Sequence, residues 1–206
     1  MYKFIVFLIF KGESLMDYKF GVYGDSIAFG YGCNGRSWFD ILADKQVVIK
    51  LAQNGEKTTD VLRKIEKDNN HYQILILAVG INDLLQDDNI PANCDVGTII
   101  ENYEKILDIA VKKADKIIIQ SVLPVREELF PEQNWLDKPQ WVLNTNVEKF
   151  NIKLRNLAQV KKVTFLNAYD EFTLIELNEV QIDAVHLNKK GNLVLAELYQ
   201  NLARKL

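Results

Sequence analysis

Two cysteines, two histidines and four prolines in 206 residues leave several kinds of chemistry without material. Cys33 and Cys94 are too few for a disulfide framework and form no CxxC pair, so both are expected as free thiols and no cysteine-held metal or redox site is implied. Charge of one sign is also missing. The net charge is -3, acidic and basic residues are interspersed, and no Lys- or Arg-rich stripe offers a surface for nucleic-acid phosphates. The apolar runs are all far shorter than the roughly 20 residues that cross a bilayer, so stable membrane insertion is not expected. No feature sets an oligomeric state. What is present is ordinary for one soluble globular domain: 48% hydrophobic and 26% charged residues, with length enough to bury a core.

The first fifteen residues stand apart. Phe4–Phe10 is a continuous apolar run behind Lys3, followed by Lys11-Gly12-Glu13 with no small-x-small cleavage site. Three readings are open: a weak signal or anchor that exports the protein, or a start assigned too early. On the third, Lys11-Gly12-Glu13 corresponds to a purine-rich bacterial ribosome-binding sequence, translation begins at Met16, and the protein is cytoplasmic. Residues 1–15 are thus expected to be an extension and 16–206 a single domain.

Beyond that point short apolar runs alternate with amphipathic ones. Lys19–Tyr23, Val47–Leu51, Ile74–Val79, Lys116–Ser121 and Val163–Leu166 are continuous and rich in β-branched residues, the pattern of strands covered on both faces. Thr59–Asp68, Ile99–Ala114, Trp141–Leu157 and Leu193–Leu202 carry apolar residues at helical spacing. Alternation of this kind implies parallel βαβ units in an α/β fold, a three-layer α/β/α sandwich. Functional residues then collect past the carboxyl ends of the strands, in the loops Gly24–Gly35, Ala52–Thr58, Gly80–Asp88 and Leu123–Pro139.

The first of these loops reads Gly24-Asp25-Ser26-Ile27-Ala28-Phe29-Gly30. A serine there is either a nucleophile at the open edge of the sheet or the cap of the next helix. A nucleophile needs a base, and the chain offers His71 or His186. His71 sits in a polar segment before the third strand, at the opposite edge, and is expected on the surface. His186 lies just before the last helix with Asp183 three residues ahead, a spacing that lets the carboxylate fix the imidazole tautomer or merely cap a turn. Gly55 after the second strand and Asn82 after the third are candidate oxyanion donors, although Asn and Gly also form turns generally. Gly30-Tyr31-Gly32 is a weak glycine-rich signal without a dinucleotide or P-loop fingerprint.

Together these blocks resemble the SGNH, or GDSL-type, hydrolase superfamily from about Lys19 onward. Gly24-Asp25-Ser26-Ile27 resembles the first block, with Ile27 in place of leucine. Asn54-Gly55 followed by Thr58-Thr59-Asp60-Val61-Leu62 fits the second, where the surrounding residues depart most from the pattern. Gly80-Ile81-Asn82-Asp83 matches the third. Asp183-Ala184-Val185-His186-Leu187-Asn188 resembles the last, with Ala184 where glycine is commoner, and Phe150–Leu154 looks like the penultimate helix.

The resemblance implies a flavodoxin-like five-stranded parallel sheet of order 2-1-3-4-5. It implies a Ser26–His186–Asp183 triad and an oxyanion hole from the Ser26 and Gly55 N–H groups with the Asn82 side chain, needing neither metal nor other cofactor. The expected activity is a serine esterase acting on a small-molecule acyl ester. An O-acetyl esterase for an acetylated sugar or cell-wall glycan is the alternative, and a non-catalytic flavodoxin-like binding protein the rival from another class. Phe130 and Trp135, with Trp141 beside the longest loop, are candidates to line the substrate pocket or to pin that loop down. Arg36 is a candidate partner for a substrate anion or a surface ion pair.

Overall fold

The β-branched runs pair side by side as parallel strands. In the computed structural model, which describes residues 19–42, 47–86, 95–131 and 139–204, they are β1 (Lys19–Gly24), β2 (Val47–Lys50), β3 (Tyr72–Ala78), β4 (Ala114–Gln120) and β5 (Thr164–Leu166). Their order is β2-β1-β3-β4-β5 and every pairing is parallel, the predicted flavodoxin-like arrangement. Val22 stands beside Lys50 and Ile76, Ile76 beside Ile118, and Ile118 beside Thr164. Val22, Leu75, Leu77 and Ile119 are wholly buried, as strands covered on both faces require.

The helices are α1 (Ser26–Phe29), α2 (Trp38–Leu42), α3 (Thr58–Lys67), α4 (Ile81–Leu84), α5 (Val96–Ala110), α6 (Asn144–Lys161), α7 (Ala168–Thr173), α8 (Leu177–Val180) and α9 (Lys189–Ala203). They pack in two groups that flank the sheet. The α5 helix touches both α3 and α6, while α9 touches α2 and α8. The buried Trp38 indole stacks on Tyr199 with centroids 4.3 Å apart, fastening α2 to α9.

Several boundaries move from their predicted positions for identifiable reasons. The α5 helix starts at Val96 instead of Ile99 because Asp95 accepts from the N–H groups of Gly97 at 3.0 Å and Thr98 at 3.3 Å. It stops at Ala110 because Ala114 already belongs to β4. Trp141 is not helical: it exchanges two backbone hydrogen bonds with Gln86, and α6 begins at Asn144.

Residues 1–15, Cys94 and Trp135 lie outside the described residues. Cys33 is a buried free thiol. No helix among the described residues is long and apolar enough to cross a membrane.

Close packing at the strand ends prepares the site. A Cβ on Gly24 would stand 2.8 Å from the Ala78 carbonyl oxygen and 2.5 Å from Ala28 Cβ, so the turn from β1 into α1 presses directly on the end of β3. Gly80 follows β3 with φ 141°, a conformation reserved for glycine, and a side chain there would run into Phe150.

Candidate active site

The turn after β1 makes Ser26 the first residue of α1. Asp25, not Ser26, is the cap of that helix, its Oδ1 accepting from Ile27 N–H at 3.0 Å. The serine hydroxyl is therefore released from the capping role that competed for it. Ser26 Oγ lies 2.8 Å from His186 Nε2, and His186 Nδ1 lies 2.7 Å from Asp183 Oδ2.

The loop that carries the histidine is closed upon itself before α9 begins. Asp183 Oδ1 accepts from the N–H groups of Val185 at 2.9 Å and His186 at 2.7 Å, so this carboxylate both caps the turn and orients the ring. Ile182 N–H donates to the His186 carbonyl, and Asn188 N–H to that of Val180. Two further bonds moor this loop to the segment that follows β4, from Arg126 N–H to the Ala184 carbonyl and from Gln181 Nε2 to that of Pro124. Burial pushes the Asp183 carboxyl up, but the hydrogen bond and charge of His186 and the two backbone donors outweigh it and hold Asp183 below the usual carboxylate range.

The second and third predicted loops also meet here. Asn82, buried in α4, donates from Nδ2 to the Glu56 carbonyl at 2.9 Å, next in the chain to Gly55. Gly55 has φ 76°, and a Cβ there would find no atom within 4 Å, so this turn opens onto free space. Ser26, Asp183 and His186 are thus joined by direct hydrogen bonds, and Asn82 is bonded to the loop of Gly55.

Other candidates fall elsewhere. His71 is exposed and pairs with Asp115 at 2.8 Å, at the amino end of β3, as the sequence predicts. Phe130 is half-buried against the core at the end of a single 3-10 turn, Glu127–Leu129. Arg36 is exposed. Among the described residues no three His, Cys, Asp or Glu side chains converge in a metal-binding cluster.

Three contributors escaped the sequence reading. Tyr31 stacks on the His186 ring with centroids 4.2 Å apart. Lys50 donates to the carbonyls of Phe29 and Gly35 and to Asp40, clamping the loop that carries Tyr31. Asp25 is buried beside the serine. For Tyr31 the signal was the glycine-rich stretch itself: Gly30, Gly32 and Gly35 all have positive φ, which winds the loop back over the histidine.

A hydroxyl hydrogen-bonded to an imidazole that a carboxylate orients can be activated for attack on a carbonyl carbon. On a flavodoxin-like sheet, at its carboxyl edge, that arrangement has the form of an SGNH-type hydrolase. The chain belongs to the GDSL-like lipase/acylhydrolase family, whose model matches residues 22–194, and it is an ester-bond hydrolase.

Solved structures with the same fold include an acetylxylan esterase from Geobacillus stearothermophilus (14% identity, TM-score 0.72, covering 92% of this chain and 95% of that one). A lipase/acylhydrolase from Enterococcus faecalis matches at 19% identity and TM-score 0.71, over 91% and 96% of the two chains. A lipolytic G-D-S-L family member from Veillonella parvula matches at 20% identity and TM-score 0.69, over 93% and 100%. A search of curated protein sequences returns no match.

Proposed function

We propose that this chain is a serine esterase that cleaves small acyl esters through an acyl-enzyme on Ser26. The observation that carries the reading is the unbroken path from Asp183 Oδ2 through both ring nitrogens of His186 to Ser26 Oγ, with bonds of 2.7 and 2.8 Å. His186 takes the hydroxyl proton as Oγ bonds to the ester carbonyl carbon. Asp183 keeps the proton on Nδ1 and favours the imidazolium that forms. The negative charge gathers on the former carbonyl oxygen, which accepts from the N–H groups of Ser26 and Gly55 and from the Asn82 amide. As the tetrahedral adduct collapses, the carbon–oxygen bond to the alcohol breaks and His186 returns its proton to the departing oxygen. Water then enters by the same route and releases the acid.

A second reading, an O-acetyl esterase acting on a carbohydrate, is favoured by the names of neighbours in fold, which include acetylxylan esterases. Both readings share the chemistry and differ in the alcohol. Ser26→Ala and His186→Ala should each lower p-nitrophenyl acetate hydrolysis by at least about 10⁴-fold with the far-UV circular dichroism unchanged. Fluorophosphonate should label Ser26 in the unaltered protein, and an inert binding protein would leave it unlabelled. Rates on esters of increasing acyl length, set beside acetylated xylo-oligosaccharides, separate the two substrate classes.

A further inference from the structure

The residues that follow Gly55 and Asn82 in the chain bind across to each other. Asn82 Nδ2 reaches from the loop after β3 to the Glu56 carbonyl. In the return direction Asp83 accepts from Thr58 N–H at 3.0 Å and from Thr58 Oγ at 2.6 Å. The Thr58 hydroxyl has its lone pair occupied as well, by Asn102 Nδ2 of α5 at 3.1 Å. Thr58 is wholly buried, and Asn82 and Asn102 retain less than a tenth of their exposure. Asp83 meanwhile carries an energetic burden: burial pushes its carboxyl up, and the Thr58 donors pull it down. Two hydrogen-bonded crossings, running in opposite senses, therefore fix the loop of Gly55 against the loop of Asn82.

Such a pair of crossings constrains what one alone would not. A single bond from Asn82 leaves its amide free to swing about Glu56, whereas anchoring the next residue to the start of α3 fixes backbone and side chain together. We infer that Asp83 and Thr58 are positioning residues of the oxyanion site, holding the Asn82 amide and the Gly55 N–H at the separation a tetrahedral oxygen needs. This rests on the assignment of Gly55 and Asn82 as oxyanion donors. Preorganised donors act on the transition state more than on bound substrate. Loss of the crossing should therefore appear in kcat, with KM little altered.

The experiment compares Thr58→Val, Thr58→Ser and Asp83→Asn with the unaltered full chain on p-nitrophenyl acetate. It adds inhibition by a simple alkylboronic acid, whose serine adduct carries a tetrahedral negative charge. Thr58→Val and Asp83→Asn should lower kcat by about 10- to 100-fold with KM within about threefold, and weaken boronate inhibition by a similar factor. Thr58→Ser restores the hydroxyl and should recover kcat to within about threefold of the original. Unchanged kcat in Thr58→Val and Asp83→Asn would overturn the inference, as would a loss of kcat without weaker boronate binding. Loss of the fold in both would assign the crossing to stability alone and overturn it too. Ser26→Ala distinguishes the levels: if that variant stays active, the assignment of Ser26 as nucleophile fails, and if it is dead while Thr58→Val is fully active, only this inference fails.

Discussion

At the scale of single residues, the carboxyl groups near Ser26 behave in opposite ways. Burial pushes Asp25 up to about 7 against the pull of the Ile27 N–H, and the charges of Asp83 and Glu56 add to the rise. Between 3.8 and about 7 the folded chain keeps a proton that the unfolded chain has released, so stability falls as pH rises through that window and the full penalty persists above it. Asp25→Asn keeps an acceptor for Ile27 and removes the ionisation. Calorimetry should show the Tm advantage of Asp25→Asn over the unaltered chain growing from pH 5 to pH 8, and a constant difference would refute the account. Asp183 has the reverse sign: its lowered pKa supplies stability that is lost as pH falls through the folded value. Asp183→Asn should cost about 10³–10⁴-fold in kcat through loss of the correct tautomer, and Asn82→Ala about 10²–10³-fold, both read from steady-state kinetics at neutral pH.

Among the elements, the last helix shows how tightly the loop of His186 is held. The Asn188 side chain accepts from Gly191 N–H at 3.0 Å to start α9, and a Cβ on Gly191 would lie 2.3 Å from the Val180 carbonyl oxygen. Alanine is intrinsically the better helix former, by about 1 kcal/mol. Gly191→Ala should nevertheless destabilise the chain by about 1–3 kcal/mol in urea titrations, because backbone must move to admit the methyl. The long elements were legible from spacing alone: Val61, Leu62 and Ile65 mark one face of α3, and the continuous apolar run at Ile74–Val79 marks β3. Helices of four to six residues such as α4, α7 and α8 were not, since so short a stretch holds barely one turn and no period. Trp141 was misread for a related reason. Its apolar side chain fits a helical pattern, yet its backbone partner is Gln86, 55 positions away.

Over the whole molecule, what the sequence carried well was the set of groups at strand ends, because each block keeps its residues within a few positions of a recognisable strand. What it carried poorly were pairings between blocks. The Thr58–Asp83 bonds span 25 positions and the Trp38–Tyr199 stack joins helices from opposite ends of the chain. Thr58 and Asp83 each stand in a recognisable block, but no local pattern says that they meet, and both pairings depend on how the strands are ordered in the sheet. Because one continuous core includes Val22, Leu77, Ile119 and Leu195, urea should abolish esterase activity and tryptophan tertiary signal in coincident transitions. Activity lost well before the fluorescence change would indicate that the α9 side opens separately.

The 160 positions between Ser26 and His186 also bear on synthesis. A ribosome delivers the serine just after β1 and the histidine only after β5. A nascent chain halted past β5 but short of His186 therefore has all the material of its sheet and an unarmed hydroxyl. On the proposed mechanism no acyl-enzyme can form before His186 has been made, so acylation of Ser26 would pass over every chain abandoned short of that residue.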